Sequence, residues 1–176
     1  TMCTPFDEES VRLIQQLDID VIKVASCSAT DIPLLESVAA AGMPTVASTG
    51  GMEIKDIDKL VQIFDNHGLN YGLHHCVSIY PTPNKNLLLN QIDLLIRRYS
   101  PVPIGWSTHE DPNDVTTVQL AYAKGARFFE RHVGLETDIH KLNKYSSSPV
   151  QIGKWIEGYK FAVESCGAFE RSPPAL

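Results

Sequence analysis

Positive charge is in short supply. The chain carries 15 lysines and arginines against 21 aspartates and glutamates, a formal net charge of −6, and nowhere do five basic residues run together. A nucleic-acid binder needs a clustered basic surface, so no nucleic-acid partner is expected. Long hydrophobic runs are missing too. None approaches the roughly 18 residues of a membrane-spanning helix, and the first residues lack the charged-then-apolar pattern of a signal segment. Cysteine is sparse: Cys3, Cys27, Cys76 and Cys166 form no C-x-x-C pair, which argues against a zinc-finger site and a disulfide framework. These absences point to a soluble, cytoplasmic protein with reduced thiols and no membrane partner. What is present is apolar mass: 176 residues, 43% hydrophobic and 20% charged, enough for one globular domain with a sizeable core.

Short β-rich runs alternate with longer helical patterns, the signature of a parallel α/β fold. The runs are Thr1–Cys3, Val21–Ala25, Thr45–Ser48, Tyr71–His75, Ile104–Trp106 and Phe128–Arg131, with few charges, as strands buried on both faces require. Between them, Asp31 caps a helix with Pro33 in its first turn and Gly42 just past its end. Ile54, Ile57, Leu60, Val61 and Phe64 form an apolar stripe. Leu87, Leu88, Ile92 and Leu95 form a second, and Val115, Val118 and Ala121 a third. Pro149 opens a last helix with Ile152, Ile156, Tyr159 and Val163 on its inner side. With the loop and helix start at Pro5-Phe6-Asp7-Glu8-Glu9, six strands and six helices result. An open doubly wound sheet and a closed barrel share this rhythm. Polar residues decide between them, because Ser26, Ser48, Thr49, Gly50, His75, Ser78, Ser107, His109, Glu130 and His132 fall at the carboxyl ends of five strands. A TIM-type (β/α)₈ barrel builds its site there, whereas a doubly wound sheet concentrates its site at one switch point.

His109 and His132 follow adjacent strands and would reach one rim, an arrangement suited to a divalent ion with open positions for water and substrate. The alternative is two histidines hydrogen-bonded in a polar core. Lys23 lies inside an apolar strand, where an ammonium needs an anion or a path to water. Ser48, Thr49 and Gly50, with Ser26 nearby, supply hydroxyls and a tight backbone for phosphate oxygens. Tyr80-Pro81-Thr82-Pro83 is a rigid turn that would hold Ser78 and Tyr80 over the barrel mouth, or serve only as a connector.

In order along the chain stand T-P-F-D-E-E-S (Thr4–Ser10), I-K-V-A-S (Ile22–Ser26), S-T-G (Ser48–Gly50), H-C-V-S-I-Y-P-T-P (His75–Pro83), G-W-S-T-H (Gly105–His109) and E-R-H (Glu130–His132). This series resembles the sialic acid synthase family across nearly the whole chain. The resemblance implies a (β/α)₈ barrel that condenses phosphoenolpyruvate with an N-acylated aminosugar, such as N-acetylmannosamine, into a nine-carbon sugar acid. It implies that Lys23, Ser26, Ser48 and Ser107, with Thr49 beside them, bind phosphoenolpyruvate, and that Ser78 and Tyr80 face substrate. Glu130, with Lys23 and Tyr80, would act at the reacting centre. His109 and His132 would hold Mn²⁺ or Mg²⁺, and the protein would be a homo-oligomer, a dimer.

The sequence also departs from the family pattern. Thr108 stands in place of an aspartate, Cys27-Ser28 in place of glycine-glutamate, and Leu142-Asn143 in place of an aspartate-histidine pair near the sugar. Judged against the family, residues 1–176 correspond to a single partial barrel, about six βα units beginning at the third strand. The antifreeze-like C-terminal domain is then absent, and the isolated piece is expected to have little activity. Two other readings share these residues: a Schiff-base aldolase using Lys23, and a non-catalytic relative that binds a phosphorylated sugar.

Overall fold

In a computed structural model, which describes residues 1–169, six parallel strands stand side by side in chain order. They are β1 (Met2–Cys3), β2 (Val21–Val24), β3 (Thr45–Ser48), β4 (Tyr71–Cys76), β5 (Ile104–Thr108) and β6 (Phe129–Arg131). Helices follow each in turn: α1 (Glu8–Gln16), α2 (Ile32–Ala41), α3 (Ile54–Asn66), α4 (Asn90–Tyr99), α5 (Thr116–Ala123) and α6 (Pro149–Cys166). Each strand pairs only with its sequence neighbours, so strand order never reverses and the doubly wound alternative is excluded.

Curvature follows from one ion pair. Lys23 on β2 and Glu130 on β6 meet with Nζ 3.1 Å from the carboxylate. Four strand spacings of a flat sheet amount to ~19 Å, beyond the combined reach of two side chains. The sheet therefore curls into a barrel-type wall, with β1 and β6 each paired on one side only among the described residues.

Strand alternation sorts the side chains into two layers. Ile22, Val24, Ala47, Leu73, Ile104 and Trp106 are buried in one core with Leu34, Leu35, Leu60, Phe64, Ile92 and Val118 of the helices. The other face carries Lys23, Ser48, His74, Ser107 and Glu130 into the barrel. The helix ends obey local chemistry. Asp31 accepts a hydrogen bond from the Leu34 N–H at 3.3 Å, and Gly42 leaves α2 in the left-handed region at φ 68°. Ser148 and Gln151 form a reciprocal capping box at α6.

Several sequence expectations need correction. Strands β4 and β5 extend to Cys76 and Thr108. Helix α4 begins at Asn90, because residues 84–86 form a 3₁₀ turn and Leu88 adopts φ 49° and is exposed, outside the apolar stripe. Helix α6 packs through Trp155, Gly158 and Ala162, while Ile156 and Val163 are 41% and 37% exposed. Gly158 is the reason: a Cβ there would lie 3.2 Å from the Val115 carbonyl oxygen, so the missing side chain lets α6 lie close against α5 and turns its buried face.

Candidate active site

At the carboxyl ends of the strands lies a cleft of about 720 Å³. Lys23, Ser26, Ser48, Gly50, Cys76, Ser78, Tyr80, Ser107, His109, Glu130 and His132 line it, so nearly every candidate residue converges on one cavity. Its floor is an ionic cluster. Lys23 Nζ donates to Glu130 Oε1 at 3.2 Å, and Ser107 Oγ–H donates to the same oxygen at 2.8 Å. Burial works to raise the Glu130 carboxyl, but Lys23, helped by Ser107, outweighs it and holds the group below the ordinary carboxylate range. The anion that the strand lysine faces is thus a residue of the same chain.

Ser48 Oγ is buried, and no partner for it exists among the described residues. A buried hydroxyl left open toward a cleft is a donor awaiting a ligand. Gly50 creates room beside it. A Cβ at residue 50 would come 2.5 Å from Ser78 Oγ, 2.8 Å from Ser26 Oγ and 3.2 Å from Cys76 Sγ, and the Gly50 N–H donates to Ser26 Oγ at 3.0 Å.

The rim is aromatic. The rings of His109 and His132 lie 5.2 Å apart by centroid, Tyr80 lies 4.3 Å from His109, and Tyr145 lies 5.2 Å from both Tyr80 and His132. The Nδ1–H of His109 donates to the Val77 carbonyl oxygen at 3.2 Å, leaving Nε2 as the lone-pair nitrogen. Burial pushes His109 down to about 4, so it is neutral at pH 7. The described residues gather no group of three His, Cys, Asp or Glu side chains. Two neutral-capable imidazoles beside a cleft suit a divalent ion that takes its remaining ligands from water or substrate, so His109 and His132 could hold one.

Two sequence expectations do not hold. Thr49 turns away from the cleft and donates its hydroxyl to the His74 carbonyl oxygen at 2.9 Å, so it binds its own backbone. His75 points into the helix layer, where its Nε2–H donates to the Leu87 carbonyl oxygen at 2.8 Å. The strand alternates, and it is His74 that faces the barrel. Leu142 and Asn143 line a separate groove of about 850 Å³ with Lys144 and Lys154. That groove is larger than the cleft yet contains neither histidine of the rim, so size alone does not mark the site.

His74, Tyr145 and a clamp behind the site escaped the sequence reading. His74 is buried under the cluster, its ring 4.6 Å from Phe128, with no partner for either nitrogen among the described residues. Burial pushes it down to about 3; Glu130 pulls the other way, and Lys23, the smallest of the three influences, adds to the push. Gly105 makes its space: a Cβ there would lie 2.7 Å from the His74 ring. Strand alternation from Ser48 and Cys76 was the available signal. Behind the wall, Arg131 and Glu110 form a fully buried ion pair. Arg131 also donates to Ser147 Oγ at 2.6 Å and lies over the Trp155 ring at 5.9 Å.

Residues 1–170 match the NeuB family. The chain belongs to that family. It is 38% identical to an N-acetylneuraminate-9-phosphate synthase of Drosophila melanogaster over 131 residues, which is 74% of this chain and 35% of the relative. Among solved structures, a spore coat polysaccharide biosynthesis protein E from Chromobacterium violaceum superposes with a TM-score of 0.95 at 46% identity, covering 99% of this chain and 52% of that one. An N-acetylneuraminic acid synthetase from Leptospira borgpetersenii, solved with citrate, gives 0.90 at 28% identity, covering 98% and 60%. This NeuB-family chain therefore spans about half the length of the relatives it matches, and it shares their barrel-type fold. No helix among its described residues is long and apolar enough to cross a membrane.

Proposed function

We propose that this NeuB-family barrel serves a transferase that condenses phosphoenolpyruvate with an N-acylaminosugar, N-acetylmannosamine or a relative, giving a nine-carbon 2-keto sugar acid and phosphate. The observation that carries the reading is the cleft itself, in which Lys23, Ser107 and the unpartnered Ser48 hydroxyl lie beside the His109–His132 pair. Family membership supports it, since relatives are named as N-acetylneuraminate-9-phosphate, N,N'-diacetyllegionaminic acid and pseudaminic acid synthases.

On this reading the phosphate and carboxylate of phosphoenolpyruvate lie against Lys23, Ser26, Ser48 and Ser107. A Mn²⁺ or Mg²⁺ ion held by His109 and His132 would supply Lewis acidity toward the sugar's aldehyde oxygen. Lys23 and the serine hydroxyls stabilise charge on the phosphate as it leaves. Glu130 sits where a carboxylate can hold or move a proton, and Tyr80 with Ser78 borders the sugar's side of the cleft. Commitment of the Lys23 ammonium to Glu130 works against the Schiff-base aldolase, which needs a free amine.

The test is calorimetric titration of the chain with Mn²⁺, alone and then with phosphoenolpyruvate, in the parent and in His109→Ala and His132→Ala. The reading expects Mn²⁺ binding that strengthens phosphoenolpyruvate binding and is lost in both variants. Mn²⁺ binding that survives either substitution would sink the two-histidine site.

A further inference from the structure

His74 has a place in the cluster but no assigned task. It is 2% exposed, both ring nitrogens lack partners among the described residues, and it packs on Phe128 in space that Gly105 leaves open. A buried imidazole of this kind costs free energy to keep, and an apolar side chain would fill the space without that cost. The two charged groups acting on it are Lys23 from β2 and Glu130 from β6. The other elements around it present uncharged groups: Ser48 pairs with it in register from β3, Gly105 and Ser107 come from β5, Phe128 precedes β6, and Cys76 follows it on β4 with a thiol that burial pushes up.

In the free protein Lys23 and Glu130 neutralise each other at 3.1 Å, and burial keeps His74 uncharged. An anion arriving at Lys23 changes that balance. The ammonium and the Ser107 hydroxyl are the donors Glu130 uses, and they are also the donors that face the cleft. Once they turn to the ligand, Glu130 remains a half-buried carboxylate without its counter-ion, next to added negative charge. Lys23 no longer opposes a proton on the imidazole, while Glu130 and the ligand both favour one.

We propose that His74 takes up a proton from solvent when an anion draws Lys23 away from Glu130, so that the imidazolium replaces the Lys23 ammonium as the positive charge acting on the Glu130 carboxylate. This rests on the reading of the cleft as a phosphoenolpyruvate site. His74 is thereby a positioning residue acting through Glu130. It keeps the carboxylate ionised and oriented while Lys23 is engaged with substrate, and it returns the proton when the phosphate departs and Lys23 swings back.

The experiment is titration calorimetry of the metal-free chain with phosphoenolpyruvate at neutral pH in two buffers of different ionisation enthalpy, which counts protons. The parent is expected to take up about one proton per bound ligand, and His74→Leu to bind several-fold more weakly with no uptake. If His74→Leu does not fold, the ¹⁵N shifts of the parent's His74 ring give the same answer, moving from the neutral to the imidazolium pattern as phosphoenolpyruvate is added. Binding without proton uptake, unchanged uptake in His74→Leu, or ring shifts that stay neutral would each overturn the proposal while leaving the anion site intact. No binding at all would instead remove the anion site, and the proposal with it.

Discussion

Arg131 and Glu110 form a fully buried ion pair on the outer face of the barrel wall, one residue away from Glu130 and His132 on one strand and from His109 on the other. The pair ties the end of β5 to β6, so the two histidines owe their spacing to groups that never enter the cleft. Arg131→Met alone strands a buried carboxylate and should cost about 3–5 kcal/mol of stability, while Arg131→Met with Glu110→Leu should recover much of that loss. Urea unfolding of the two single variants and the double variant measures the coupling. Additive losses would show that the pair is not a unit.

Gly50 is held small by three side chains, not by its backbone angle. Gly50→Ala should therefore weaken phosphoenolpyruvate binding tenfold or more while costing only about 1–3 kcal/mol of stability, the usual range for overpacking. Calorimetry and denaturation on the same sample separate the two effects. An unchanged affinity would mean that Ser26, Ser78 and Cys76 have room to give way.

Adjacent residues on one strand end give opposite expectations. Ser48→Ala removes an unpartnered buried hydroxyl and should leave stability unchanged or slightly raised, while phosphoenolpyruvate affinity falls. Thr49→Val removes a donor to the His74 carbonyl oxygen and should cost about 1 kcal/mol with affinity kept. A reversal of that pattern in paired unfolding and binding measurements would place the ligand on the other side of the strand.

Acid should destabilise the metal-free protein early. His74 and His109 are pushed down to about 3 and about 4, from an ordinary value of 6.5. Between those limits the unfolded chain binds protons that the folded chain refuses. The contribution is thus present above pH 6.5 and is lost as pH falls toward the folded values, with a slope of up to roughly 1.4 kcal/mol per pH unit for each histidine. Glu130, also lowered, adds a loss of the same sign further down, below its ordinary 4.5. Denaturation curves from pH 7.5 to about pH 5 should show the decline, and His74→Leu should flatten it. A stability constant over that range would mean that both rings take up protons in the fold as readily as in the unfolded chain.

Much of this architecture was legible because parallel strands buried on both faces are apolar runs, and polar residues at their ends stand out. Ser26, Ser48, Ser78, Ser107, Glu130 and both rim histidines reach the same cleft. What escaped depends on parity and on distance. His74 and His75 are neighbours of identical chemistry, and only strand register says which faces inward. Thr49 looked like a phosphate ligand beside Ser48 for the same reason. Tyr145 reaches the rim from a long loop shaped by Asn143, whose side chain accepts from the Tyr145 and Ser146 N–H groups at 3.1 and 2.8 Å, a turn that no periodicity announces. The Glu110–Arg131 pair joins residues 21 apart, each adjacent to a louder neighbour.

Strand β6 and the residue after it read Phe129, Glu130, Arg131, His132, and the two trades alternate without a gap. Phe129 packs on Trp155 and Tyr159 and Arg131 joins Glu110 in the wall, while Glu130 and His132 open on the cleft. Because the period is two, losing or gaining one residue here would exchange mason for chemist along the whole strand, turning the guanidinium into the cavity and the carboxylate into grease. This stretch can change its letters over time, but it cannot change its reading frame.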